Sequence, residues 1–435
     1  MARVSPFRGV RYAHHPGADI TPLTAPPYDV ISDELRHDLL SRDPHNVVAL
    51  ELPEGTLDRT AAGNRYETGG ARWRSWLADG ILVTDAVPTI YALEQRYNVG
   101  EEQVVRRGFI AAVGLEPFSA GVVLPHERTL PKAIDDRLNI TRATAANLSQ
   151  VFGMYADPDH VVDPMLSKAM AGPALATATD DDKVLSTLWA LTDPADHVEL
   201  AQFMARKQIF IADGHHRYTT ALAYRDERRA AAEHANADGE PAYDSVMMAL
   251  VNMDDPGLVV WPTHRIADAP GPFDPAAFRA ALEQRFELTD LPPGHPSRAL
   301  AEAGDAPAFI VRTRDGVTKL ARLRSDVENG DAFPARSSAA WRALDVAALQ
   351  ELVLSPLLDI HPDRPATLDR LSFSKDAHKA MKAAGEHDVV FALRATRMEQ
   401  VAEVASSGET MPQKSTYFYP KLLSGLLFKS LDGRG

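Results

Sequence analysis

The five residues Asp213-Gly214-His215-His216-Arg217 put a carboxylate, two imidazoles and a guanidinium around one glycine. They follow Gln208-Ile209-Phe210-Ile211-Ala212, a short apolar run that reads as a strand. They precede a stretch from Tyr218 to Ala232 whose Leu222 and charged run Arg225-Asp226-Glu227-Arg228-Arg229 read as an amphipathic helix. A strand-to-helix turn presents backbone N–H groups and the positive end of the helix to an anion; Gly214 permits close approach and Arg217 adds a two-pronged contact. Phosphate is the expected guest, held by Gly214, His215, His216 and Arg217. Asp213 is the expected ligand of a Mg²⁺ ion that neutralises the phosphates, and His215 or His216 can donate to a phosphoryl oxygen or shuttle a proton. The competing reading of the same residues is a helix cap with two surface histidines.

A second cluster, His126-Glu127-Arg128-Thr129 with Lys132, Asp135, Asp136 and Arg137 behind it, lies in a stretch bracketed by Pro125 and Pro131. Mixed acids, bases and hydrogen-bonding groups on a loop suit substrate binding or proton transfer, although local ion pairs on a solvated loop explain them too. Asp29 after the double proline and Glu51 after Val47-Val48-Ala49-Leu50 are candidate general bases, as is Glu127; capping and solvation account for the first two equally well. Thr263-His264-Arg265, Asn147 and Ser149 are weaker signals. Lys414 and Lys421 flank three aromatics and can meet phosphate or a carboxylate, but lysines so placed more often line an amphipathic surface. No Walker motif, G-x-G-x-x-G, G-x-S-x-G or H-E-x-x-H occurs, which sets aside the common NTPase, Rossmann, hydrolase and zincin readings.

The elements that must position these groups can be read in outline. Pro6 to Tyr12 predicts a short strand, and Ser32 is the expected N-cap of a helix running towards Leu40. Val47 to Leu50 predicts a strand. Trp73, Trp76 and Leu77 fall at helical spacing, and Pro88–Tyr97 with Arg107–Val113 predict a hairpin turned at Gly100. Asp135 to Leu148 has helical periodicity, and Val246 to Val251 is a buried strand by its run length. Residues 230–240 predict an alanine-rich surface connection. A further unit begins near Pro270, with a helix from Asp274-Pro275-Ala276, a strand at Ala308–Val311 and a helix from Leu344 to Leu354. The domains expected are 1–268, carrying the catalytic nucleotide and phosphate site, a smaller α/β unit over 269–405, and a tail over 406–435 that docks back on the body.

With 435 residues the chain exceeds the size at which one hydrophobic core stops growing. A net charge of −14 without a basic stripe argues against nucleic acid as a partner. The absence of cysteine excludes disulfides, thiolate metal sites and a thiol nucleophile. Neither an apolar signal core nor a run of about 18 apolar residues is present, so a cytoplasmic protein with no membrane partner is expected.

Phe7-Arg8-Gly9, Pro26-Pro27-Tyr28-Asp29-Val30-Ile31, His126-Glu127-Arg128-Thr129, Ile211 to Tyr218 and Lys414-Ser415-Thr416-Tyr417-Phe418-Tyr419-Pro420-Lys421, taken in order, resemble a bacterial and archaeal family known as a domain of unknown function. Asp213 to Arg217 also resembles, locally, the phosphate-binding motif of free serine kinases in the ParB/sulfiredoxin-like superfamily, which phosphorylate the hydroxyl of L-serine from ADP or ATP. The resemblance implies an α/β fold, α+β with a mixed sheet, in which a ParB/sulfiredoxin-like catalytic core is elaborated by extra elements. It implies that His215, His216 and Arg217 contact nucleotide phosphates and that a separate glutamate, Glu51 or Glu127, is the base. The function expected is a Mg²⁺- and ATP- or ADP-dependent kinase of a small hydroxylated metabolite such as free L-serine. His126, Arg128, Thr129, Lys132 and Lys414 are further candidate nucleotide contacts, and a homodimer is compatible with the reading. Two rivals are a metal-dependent phosphohydrolase using His126, His215, His216 and Asp213, and a non-catalytic nucleotide-binding switch.

Overall fold

A computed structural model describes residues 1–129, 131–231, 240–291, 296–328, 332–335 and 337–433. The alanine-rich connection falls largely at 232–239, outside the described residues, as does the side chain of Lys132. Contacts divide the chain into two units. Met1–Pro125, Thr129–Val259 and Pro420–Gly435 make the first, and His126–Arg128 with Val260–Tyr419 make the second.

The first unit is α/β with a mixed sheet. Among the described residues ten strands join, running across the sheet as Ala18–Asp19, Ala176–Thr179, Leu185–Leu191, Ile90–Val99, Glu102–Gly114, Ser245–Asn252, Val151–Tyr155, Ile209–Asp213 and Val123–Leu124. Val4–Ser5 attaches to Glu102–Gly114 off that path. The hairpin of Ile90–Val99 and Glu102–Gly114 pairs antiparallel from Tyr91 opposite Ile110 to Val99 opposite Glu102, and Gly100 takes the positive φ its turn requires. Ser245–Asn252 pairs antiparallel on one edge and parallel on the other, with seven of its eight residues buried, as expected for an apolar run covered on both faces. Val151, Ile209, Ile211, Tyr218 and Leu250 belong to one buried cluster, so the strand before the Asp213 turn and the helix after it share a core. A smaller antiparallel sheet orders Leu82–Thr84, Gly9–Tyr12, Phe428–Ser430 and Ala146–Asn147, placing a C-terminal strand between two segments from far earlier in the chain.

The second unit is built on an antiparallel sheet ordered Phe286–Asp290, Thr318–Leu323, Ala308–Thr313, Val389–Leu393, His264–Ala267 and Leu371–Ser374. Asp274 caps the helix Pro275–Glu283 by accepting from the N–H groups of Ala276 and Ala277. The helix expected from Leu344 to Leu354 is α over Asp345–Leu349 and widens to a π turn over Gln350–Leu354. Among the described residues no helix is long and apolar enough to cross a membrane.

Two sequence expectations change here. Val47 to Leu50 is no strand: Val48–Glu51 is a fully buried helical turn, opened by the Asn46 side chain, whose oxygen accepts from Val48 N–H, and stopped before Pro53. A four-residue apolar run fits either state, and the Asn46 side chain on Val48 N–H favours the helical turn. The helix expected over Asp135–Leu148 is Pro131–Thr144; Ala145 at φ 46 ends it and Ala146–Asn147 joins the small sheet. Ser32, by contrast, caps Asp33–Arg42 as expected, accepting from Leu35 N–H.

Candidate functional site

The strand Ile209–Asp213 loses register with Val151–Tyr155 between Ile211 and Asp213, and this bulge re-aims the last side chain. Gly214 follows at φ +87, a conformation that strains any residue with a Cβ. A Cβ there would also sit 3.1 Å from Arg217 Nε, because the arginine folds back over the glycine. The helix begins at His215, and Tyr218 N–H closes its first turn on the Gly214 carbonyl. Tyr218 locks that turn in place: its hydroxyl donates to the Glu116 carbonyl at 2.9 Å and accepts from Glu116 N–H at 3.0 Å. His215 is buried at the helix start and His216 is half-buried.

Three groups surround Asp213. Gly214 N–H donates to Oδ1 at 2.7 Å, Lys421 Nζ donates to Oδ2 at 2.6 Å, and the Arg217 guanidinium stands 4.0 Å away. Burial alone would raise this carboxyl's pKa, but Lys421 and Arg217 more than reverse that and hold it well below the usual carboxylate range. Arg217 donates to the Gln150 carbonyl. One anion and two cations thus converge where the backbone turns.

Arg217 also lines a cleft of about 40 Å³ with Glu51, Arg137, Asn147, Ser149 and Thr220. Thr220 lies three residues along the helix from Arg217 and so shares its face. Glu51 Oε2 accepts from Arg137 Nη1 at 3.0 Å, whereas Glu51 Oε1 and Thr220 Oγ1 are buried with no hydrogen-bond partner among the described residues. Buried acceptors left unmade cost about 1–3 kcal/mol each, which marks this cleft as polar space awaiting a donor. Arg137 is fixed from three sides, by Glu51, by Asp136 at 2.6 Å, and by the Tyr28 ring 4.1 Å from its guanidinium carbon. Burial pushes the Tyr28 hydroxyl up to about 12, so it stays protonated.

The residues expected at the site divide between the units. Asp213 to Arg217 and Glu51 belong to the first, where Arg217 and Glu51 line one cleft, while Asp29 is exposed. Thr129 is half-buried in the first unit. His126, Glu127, Arg128 and Lys414 belong to the second: His126 is buried with Nε2 2.9 Å from Thr416 Oγ1, Glu127 bridges to Met411, Arg128 donates to Thr410 Oγ1, and Lys414 is exposed. Lys421, which reads from the sequence as amphipathic surface, is the lysine that reaches Asp213. Arg137 stands out in the sequence only as a member of the charged group behind His126–Thr129, and Thr220 and Gln150 carry no sequence signal beyond helical spacing in the case of Thr220.

Mg²⁺ fits poorly at Asp213 as it stands. Both oxygens accept from donors and the nearest charges are cationic, the reverse of a ligand set that gathers negative oxygens around a hard cation. Among the described residues no three His, Asp or Glu side chains converge as metal ligands, so the set required by the phosphohydrolase reading is not assembled there.

The family model described as Protein of unknown function (DUF1015) matches residues 4–347. No curated protein matches the chain. Among solved structures, a free serine kinase in complex with AMP is similar at a TM-score of 0.34 and 13% identity, covering 72% of this chain and 86% of that one. A conserved hypothetical protein from Pyrococcus furiosus is similar at 0.33 and 12%, covering 72% and 92%. SbnI with C-terminal truncation from Staphylococcus aureus is similar at 0.34 and 12%, covering 72% and 85%. Scores and identities of this size fix neither fold nor chemistry.

Proposed function

The chain belongs to the DUF1015 family, and we propose that it is a nucleotide-dependent phosphotransferase acting on a small hydroxylated metabolite. The observation that carries this reading is the shared cleft: Arg217 of the strand-to-helix turn and the unpartnered Oε1 of Glu51 line the same space. Phosphoryl transfer asks a protein for an anchor that neutralises phosphate and for an acceptor of the attacking hydroxyl's proton, and little else.

On this reading the nucleotide phosphates lie against the first turn of the helix His215–Ala231, with Arg217 and Lys421 supplying charge. Arg217 leaves the Gln150 carbonyl for phosphate, a better partner because it is charged. The acceptor reaches into the cleft with its hydroxyl. A volume of about 40 Å³ admits that group and little more, so the rest of the metabolite lies towards the opening. The acceptor oxygen bonds to the γ-phosphorus as the bond to the leaving nucleoside diphosphate breaks, and the hydroxyl proton passes to Glu51 Oε1. Arg137, held on Tyr28, keeps the other oxygen of Glu51 in place. L-serine, the acceptor implied by the likeness of Asp213–Arg217 to free serine kinases, is the first to try; the first unit would then be the ParB/sulfiredoxin-like core.

The test is transfer of label from γ-labelled ATP to L-serine and other small alcohols, with Glu51→Gln alongside. Glutamine keeps an oxygen for Arg137 but is a far weaker base. Transfer should fall about 10²–10⁴-fold while nucleotide affinity stays within about twofold, the signature of lost general-base catalysis. Transfer by the variant at the unaltered rate would remove Glu51 from the chemistry, and a wild-type protein that binds nucleotide without transferring to any acceptor would leave only the switch reading.

A further inference from the structure

We propose that Gln95 and Arg106 form a buried clamp that positions Lys421 at the phosphate turn. The inference rests on the reading of that turn given above and adds two residues that touch neither nucleotide nor acceptor. Gln95 and Arg106 stand directly opposite each other in the central hairpin and are 2% and 1% exposed. Arg106 Nε donates to Gln95 Oε1 at 3.2 Å, and its Nη2 donates to the Pro420 carbonyl at 2.6 Å. Gln95 Nε2 donates to the Lys421 carbonyl at 3.3 Å. Two successive carbonyls of the tail are thereby held from one cross-strand pair. The proline ring restricts φ at residue 420, so fixing its carbonyl fixes the direction in which residue 421 leaves. Lys421 leaves towards Asp213, its ammonium 2.6 Å from Oδ2.

Stability alone gives a weak account of this arginine. The guanidinium is buried, with Phe152 4.8 Å from its charged carbon, and burial brings its pKa down to about 10. Buried charges are frequently replaceable by apolar residues of similar volume without loss of stability, so an arginine here is better explained by what it holds. Phe152 lies opposite Asp213 in the adjoining strand, so the clamp and the Lys421–Asp213 pair grip neighbouring parts of one sheet. Arg106 is accordingly a positioning residue, acting through Lys421.

The experiment is a double-mutant cycle of Arg106→Met with Lys421→Ala, read by ADP affinity at a temperature where each variant is folded. Arg106→Met alone should weaken ADP about tenfold; in the Lys421→Ala background the same change should cost less than about twofold, because the group it positions is gone. A similar loss in both backgrounds, or none in either, overturns the proposal. Arg106→Met leaves the Pro420 carbonyl and Gln95 Oε1 without their donor, so Arg106→Lys, which keeps a donor, serves if the first variant does not fold; it should retain affinity within about threefold. A second readout needs no nucleotide. Acetylation of Lys421, followed by mass spectrometry on the full-length protein, should speed up several-fold in Arg106→Met relative to surface lysines, and by less in Arg106→Lys. Unchanged labelling overturns the positioning role; changed labelling in a protein that binds no ADP keeps the clamp and discards the phosphate reading.

Discussion

Two buried arginines, one in each unit, do the same thing to the same stretch of chain with different results. Arg106 in the first unit donates to the Pro420 carbonyl; Arg265 in the second donates to the carbonyls of Gln413 and Lys414. Each is almost fully buried, and burial brings each down to about 10. Beyond the first clamp comes Lys421, paired with a carboxylate at a strand-to-helix turn. The second holds the carbonyl of Lys414, which is exposed in a left-handed backbone conformation; in the same unit Trp261 and Tyr419 stack 4.0 Å apart. Lys375, not Lys414, stands over those rings, 5.2 Å from the centre of Trp261. The difference teaches that a buried arginine can hold a backbone for structure or for aim, and that what the held residue faces decides which.

The largest expected effect separates the two lysines. Lys421→Ala should weaken ADP at least tenfold by calorimetric titration, whereas Lys414→Ala should change it less than twofold; the desolvated charge pair carries the difference. Equal losses would erase the distinction. Arg265→Met should leave ADP affinity within about twofold even if it lowers the melting temperature.

The next concerns Asp213. Its native carboxyl titrates well below the usual range, so the unfolded state takes up a proton first as pH falls. The stabilisation is therefore complete above an unfolded pKa near 3.9 and is lost as pH falls through the lower native value. Asp213→Asn should cost on the order of 2 kcal/mol at neutral pH by urea denaturation, and the gap from wild type should narrow below about pH 4. A gap that stays constant down to pH 2 would show that the charge pair contributes nothing.

Lys429 provides a third buried cation for the comparison, read through pH dependence alone. Its ammonium donates to the carbonyls of Ala242 and Ser245, and burial pushes it down to about 7. Between about pH 7 and the unfolded value near 10.4 the unfolded chain holds the extra proton, so stability should rise with pH across that window. Below about 7 the penalty is present in full. Lys429→Met should flatten the rise, measured by urea denaturation at three pH values; the same slope in the variant would assign it to other groups.

Much of the fold was legible where one local rule dominated. The Gly100 hairpin, the Ser32 cap and the strand-to-helix order around Gly214 follow from turn chemistry, capping and apolar run length. Val48–Glu51 was not, because four apolar residues carry no period and the Asn46 cap lies outside the run. At the site, Asp213 to Arg217 could be found since chemistry-bearing types crowd into five positions. Lys421 and Arg137 stand in the sequence only as members of charged groups, and their roles could not be read there, since each acts through a partner 208 or 86 residues away that only the fold supplies. Lys414 and Lys421 look alike in sequence, both lysines beside the same aromatics, and the carboxylate that distinguishes them is distant in the chain.

Phosphate binding at the Asp213–Arg217 turn is tested most directly by calorimetric titration of ADP, with and without Mg²⁺, into the wild-type chain and Arg217→Ala. A phosphate site at this turn requires saturable binding to the wild type and a loss of at least tenfold in a variant whose melting temperature shows it folded. Unchanged affinity in the folded variant, or no binding of ADP to the wild type at millimolar concentration, would contradict a phosphate site at this turn.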